Sequence, residues 1–190
     1  MCHQITGRLI IAAWALAVLA PLPLAAQTKG KPQHYTAVAV DLDRGTTSRV
    51  EFTVNRWSTD AERQKLMSTM MTKGADALLE ALQDQPRVGF IQVNQGLGWD
   101  LHFAWREPGE DGGQRVILAT DRPMSFWETA NRPRSVDYPF TVIELHLKDG
   151  KGEGTLSLAT RVIPNESQNI VILENFDMQR IRLTEVIASQ

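Results

Sequence analysis

Trp99-Asp100-Leu101-His102-Phe103-Ala104-Trp105-Arg106 alternates residue by residue. Read at period two, the stretch puts Trp99, Leu101, Phe103 and Trp105 on one face of a strand. Asp100, His102, Ala104 and Arg106 fall on the other. A strand with one apolar and one polar face belongs in an antiparallel sheet that is covered on one side. The same pattern recurs on both sides of it. Thr47 to Arg56 sets Val50, Phe52 and Val54 against Arg49, Glu51 and Thr53, and Phe140 to Lys148 gathers Ile143, Leu145 and Leu147 on one face. Further strands are expected over His34 to Asp41, Val88 to Val93, Arg115 to Thr120, Glu153 to Ile163, Gln168 to Glu174 and Gln179 to Ile187. The joints carry turn residues: Asp43-Arg44-Gly45, Asn94-Gln95-Gly96-Leu97-Gly98, Pro108 to Gly113, Asp149-Gly150-Lys151-Gly152 and Pro164-Asn165. Loops this short force neighbouring strands to run antiparallel.

One interval changes period. Thr59-Asp60-Ala61-Glu62 fits a capping box, with Leu66, Met67, Met70 and Met71 following at helical spacing. Lys73-Gly74 reads as a helix stop. A second helix restarts at Ala75 with Leu78, Leu79 and Leu82 apolar, and Gln85-Pro86 ends it. The expectation is two helices, Asp60 to Thr72 and Ala75 to Gln83, or one helix kinked at Gly74. The predicted fold class is therefore α+β. It is a curved, mainly antiparallel sheet of about nine strands, barrel-like or two-layer, with the helical pair inserted after the second strand. Leu66, Met70, Leu78 and Leu82 are expected to pack against an edge or open end, and closure into a barrel would remove the exposed edges.

The N-terminus carries a different message. Arg8 precedes the apolar run Leu9 to Ala20, Pro21 and Pro23 break it, and Leu24-Ala25-Ala26 supplies small residues before Gln27. These are the parts of a secretory signal peptide cleaved near Ala26. The competing reading is a membrane anchor, but 12 apolar residues fall short of the roughly 20 that span a bilayer. The expected organisation is a signal peptide over 1–26, a flexible leader over 27–33 and a single α+β domain over 34–190. Cleavage removes Cys2, the only cysteine, which excludes disulfides, thiol redox chemistry and thiolate metal sites from the mature chain. It also removes Arg8, leaving 19 basic residues against 22 acidic, a formal charge of −3. That balance gives no reason to expect nucleic acid binding. The mature chain is expected to be soluble, without membrane insertion, and secreted or periplasmic.

Three segments carry a resemblance: Arg56-Trp57-Ser58-Thr59-Asp60-Ala61-Glu62-Arg63, Val88-Gly89-Phe90-Ile91-Gln92-Val93, and Arg182-Leu183-Thr184. With the overall layout, they resemble a group of uncharacterised secreted bacterial proteins over most of the mature chain. The resemblance implies a bacterial exported protein. It implies no activity, site, substrate or cofactor.

The chemistry-bearing residues form two groups. Asp100-Leu101-His102 and Glu144-Leu145-His146 each put an acid and a histidine on the polar face of a strand. Were the two strands adjacent, Asp100, His102, Glu144 and His146 would converge as a zinc site or a general acid–base set. The simpler reading is a wet sheet face. The second group lies in the long irregular stretch Asp121 to Tyr138, where Trp127, Arg132, Arg134 and Tyr138 offer the aromatic and Arg chemistry of a contact surface. The alternative is that Trp127 plugs one end of the sheet. Met67, Met70 and Met71 read as core beside Leu66. Asp41-Leu42-Asp43-Arg44-Gly45 reads as a turn, because Arg44 would sit inside a would-be calcium cage. No nucleophile motif appears, and no cofactor or catalytic residue is assigned. The expected function is a non-catalytic module binding a protein or small ligand. The alternatives are a hydrolase or metal-dependent enzyme using His102 and His146, and a structural envelope protein.

Overall fold

The computed structural model describes residues 31–42, 45–109, 112–122, 137–165, 170–175 and 181–189. The expected signal peptide and most of the leader lie outside them. In chain order the elements are β1 (Gln33–Asp41), β2 (Thr46–Val54), α1 (Asp60–Lys73), α2 (Ala75–Gln83), β3 (Gly89–Val93), β4 (Trp99–Leu101) and β5 (Phe103–Pro108). There follow β6 (Gln114–Asp121), β7 (Phe140–Lys148), β8 (Lys151–Asn165), β9 (Ile170–Asn175) and β10 (Ile181–Ser189). Every strand pairing is antiparallel. The strands lie in the order β4-β3-β2-β1-β10-β8-β7-β6-β5, with β9 beside β8. The α+β expectation holds, and the sheet is nearly a closed barrel.

The two ends of that order, β4 and β5, are consecutive in the chain, with His102 alone between them. One segment therefore closes the sheet by changing partners. Its first half pairs with β3, where Leu101 faces Gly89, and its second half pairs with β6, where Phe103 faces Ala119. At the joint the His102 N–H donates to the Ala119 carbonyl at 3.1 Å, and the Thr120 hydroxyl donates to the Asp100 carbonyl at 2.6 Å. The linker after β2 covers the edge of β5 that does not pair with β6: Ser58 N–H donates to the Ala104 carbonyl at 2.8 Å, and Ala104 N–H to the Ser58 hydroxyl at 3.1 Å.

This joint corrects the expected faces of Trp99 to Arg106. Leu101 and Ala104 are both fully buried in the barrel core, although they differ in parity. Phe103 packs with the helices on the outside instead. An irregular residue at His102 shifts the alternation by one, and a shift of one sends every later side chain to the opposite face. Curvature comes from similar irregularities. Register shifts fall between Thr36 and Val38, between Leu183 and Val186, and between Phe140 and Val142. Glu185, inside the second of these, takes φ 52°. Such bulges bend and twist a sheet, which is how the nine strands from β4 to β5 curl round far enough to meet.

The barrel interior is packed by alternate residues of nearly every strand, among them Tyr35, Val50, Phe52, Ile91, Val116, Ile143, Leu145, Leu156 and Leu183. The helical pair does not cap an edge or end. Leu66, Met70, Leu78 and Leu82 pack on the outer wall, against Phe103, Phe140, Val142, Val162 and Leu173. The capping box forms as expected: Glu62 N–H donates to the Thr59 hydroxyl at 3.1 Å and Thr59 N–H to the Glu62 carboxylate at 2.8 Å. Arg56 grips the same carboxylate with both terminal guanidinium nitrogens, at 2.9 and 3.0 Å. Gly74 divides the helices at φ 85°, a conformation open mainly to glycine, with its N–H donating to the Met70 carbonyl at 3.1 Å.

Tyr35 supplies a pH signature for the core. Burial pushes its hydroxyl up to about 12 from 10.0, against a smaller downward pull from the Arg106 charge. The folded state thus keeps this proton where the unfolded chain releases it. Its contribution is complete below pH 10 and lost as the pH rises towards 12. Two units correspond to roughly 2–3 kcal/mol. In denaturant titrations at pH 9 to 12, Tyr35→Phe is expected to gain about that much on the wild type. A constant gap between the two proteins across the range would contradict it.

Candidate functional site

The outer face of β5, β6 and β7 is laid out in rows by strand register. Phe103, Ala119 and Val142 form the first row. Trp105, Ile117 and Glu144 form the second, and Glu107, Arg115 and His146 the third. Rows are about 7 Å apart, so the wall passes from apolar to ionic within about 14 Å. The apolar rows lie under α1 and α2. Between helices and wall is a groove of about 560 Å³, roofed by Leu66, Met67, Met70, Leu78 and Leu82 and floored by Phe103, Trp105, Ile117, Ala119 and Val142. Arg63, Glu107, Arg115 and Glu144 line it as well.

At the ionic end Arg115 bonds two carboxylates, Glu144 at 2.7 Å and Glu107 at 2.9 Å. His146 Nε2 lies 3.0 Å from the Glu144 oxygen that Arg115 holds. Partial burial pulls the Glu144 carboxyl upward. The Arg115 bond and charge, helped by His146, outweigh it and hold the group below its ordinary range. The same bond raises Arg115, against a smaller desolvation effect. Both partners shift in the direction of a formed ion pair. Glu107, Arg115, Glu144 and His146 also line a polar cleft of about 740 Å³, which continues to Lys148, Lys151 and Glu153. No serine, threonine or cysteine lines that cleft among the described residues.

Arg63 differs from Arg115. Its guanidinium carbon lies 5.0 Å over the centre of the Trp105 ring. Among the described residues it takes no part in the ion pairs of the neighbouring network.

The sequence-derived candidates separate. Glu144 and His146 meet, as their i, i+2 spacing on one strand face allows. Asp100 instead pairs with Arg87 at 2.9 Å. His102 Nδ1 donates to the Gln85 carbonyl at 2.9 Å, fastening the end of α2 to the barrel seam. The four-residue convergence is not assembled. His102 is level with Ala119, whose β7 partner Val142 lies four residues from His146. Four strand residues span about 13 Å, too far for two imidazoles sharing an ion at about 2.1 Å. Among the described residues, no group of three or more His, Asp or Glu side chains is placed to hold a metal. Tyr138 donates its hydroxyl to Glu174 at 2.9 Å, and that bond raises the pKa of the hydroxyl. Trp127, Arg132 and Arg134 lie outside the described residues.

Comparison with protein-family models, with curated proteins and with solved structures finds no match for this chain.

Sequence reasoning missed Arg63, Arg115, Ala119 and the outward role of Trp105. One signal was available. Gln114 to Asp121 carries apolar residues on both faces, Val116 and Leu118 on one and Ile117 and Ala119 on the other. Apolar residues on both faces mark a strand covered on both sides.

Proposed function

We propose that the chain is an exported binding module that holds a small, mainly apolar molecule between its helical pair and the outer wall of its barrel. One observation carries the reading: the groove of about 560 Å³ with an apolar roof and floor and a few polar groups at one end. Its size and lining are those of small-molecule sites. The barrel core is packed with apolar side chains of its own strands, whereas the outer wall carries the groove. A catalytic reading has less support, since His102 is committed to Gln85 and the cleft beside His146 offers no nucleophile among the described residues. A purely structural role would leave the groove without a use.

Ala119 stands on the floor and its side chain faces the groove. Ala119→Trp should fill that space and weaken binding of the uncharged fluorophore N-phenyl-1-naphthylamine at least tenfold, with the circular dichroism of the wild type retained. No fluorescence enhancement with the wild-type protein, or equal enhancement with the folded variant, would sink the reading. Export rests on the pattern Arg8 to Ala26. N-terminal sequencing of the protein from a periplasmic or culture fraction is expected to start near Gln27. A chain kept in the cytoplasm with Met1 intact would refute it.

A further inference from the structure

The groove has direction, and its charges are unevenly committed. Its apolar part runs from the level of Phe140 past Ala119 to that of Trp105. That is four residues of strand, about 13 Å, the reach of a medium-length alkyl chain lying along the strands. Beyond it stand two cations and two carboxylates, Arg63, Arg115, Glu107 and Glu144. Both carboxylates are bonded to Arg115, and Glu144 also meets His146. Arg115 is held from both sides and is not available to a ligand without breaking one of those pairs. Arg63 is the cation left over. It sits on α1 at the rim of the groove, resting on the Trp105 ring with no carboxylate partner among the described residues. A guanidinium on an aromatic face keeps its in-plane N–H donors free, in the fork geometry that matches a carboxylate or phosphate.

We propose that the ligand is a single-chain amphiphile with an anionic headgroup, its chain under the helices and its head on Arg63. This rests on the groove being the binding site. The opposite headgroup sign is a live competitor in charge terms, because Glu107 and Glu144 together carry one more charge than Arg115 neutralises. The observation that favours the anion is commitment: the acids are paired with Arg115, and Arg63 has no carboxylate partner among the described residues.

The test uses the mature chain and three probes with the same tail, dodecanoate, dodecanol and dodecylammonium, titrated calorimetrically below their micellar concentrations. The expected order is dodecanoate tighter than dodecanol by about tenfold, with dodecylammonium weakest. Arg63→Gln should erase the advantage of dodecanoate and leave dodecanol unchanged, while Arg63→Lys should keep part of it. A merely structural Arg63 would move dodecanol and dodecanoate together. Equal binding of dodecanoate and dodecanol, or a preference for dodecylammonium, overturns the anionic headgroup and leaves the groove in place. If no probe binds, or if Ala119→Trp leaves all three unaffected, the groove fails and the headgroup proposal falls with it.

Discussion

Leu101→Ala is expected to lower the stability of the protein by about 2–5 kcal/mol, the range for removing a fully buried leucine. Leu101 is 0% exposed, and it stands at the seam. Its carbonyl accepts the Val88 N–H at 2.8 Å, its ladder partner is Gly89, and the next residue is the His102 that bonds across to Ala119. The side chain packs inside the barrel where β3 and β6 are brought together by one segment. Truncation leaves a cavity beside the single-residue joint, where the wall has least backbone freedom to collapse into it. The top half of the range is therefore expected, measured as a shift in the midpoint of denaturant unfolding at unchanged slope. Leu97→Ala is the matched control. Leu97 is 98% exposed in the β3–β4 turn and should cost less than about 0.5 kcal/mol. A loss at Leu101 as small as that at Leu97 would mean that the seam is not where the barrel closes.

Gly152→Ala should be nearly as damaging, for the opposite reason. Gly152 lies on β8 opposite Leu147. A Cβ added there would stand 2.8 Å from the His146 carbonyl carbon and 3.0 Å from Leu147 Cα, and closer still to the His146 oxygen. The obstruction is backbone of the paired strand, which cannot rotate aside as a side chain would. β7 and β8 would have to separate at the start of their hairpin, next to the row that carries His146 and Arg115. A cost of about 3 kcal/mol is expected, the upper end for forcing atoms into a packed site. Gly74→Ala separates crowding from backbone strain. Nothing lies within 4 Å of a Cβ at Gly74, but its backbone takes φ 85° and ψ −171°, so only the conformational penalty applies, about 1–3 kcal/mol for a region open essentially to glycine. A loss at Gly152 below about 0.5 kcal/mol, the level of an ordinary surface substitution, would show that crowding between β7 and β8 contributes nothing.

Much of the fold was legible because it is local. The faces of β7 were read correctly, since Ile143, Leu145 and Leu147 alternate with residues facing a different environment. The capping box of Thr59 and Glu62 and the break at Gly74 were read from neighbours a few residues apart, and the structure places both as expected. The site was less legible. Glu144 and His146 share a strand, so their meeting followed from spacing. The partnership of Arg115 with Glu107 and Glu144 needed strand order, which no spacing encodes.

The stretch Trp99 to Arg106 shows where the division falls. Its own residues determined that it is extended, because alternation is a property of adjacent side chains and acts at period two. They did not determine where the alternation slips. That depended on β3 and β6 arriving on either side of His102, which is set by the accumulated twist and bulges of the whole sheet. Nor did they determine what covers the outer wall. Phe103 and Trp105 suit a barrel core as well as a helix-covered face, since both remove apolar surface from water. Only the tertiary structure decided that they face outward, under α1 and α2, and so gave the protein a groove with Arg63 at its rim.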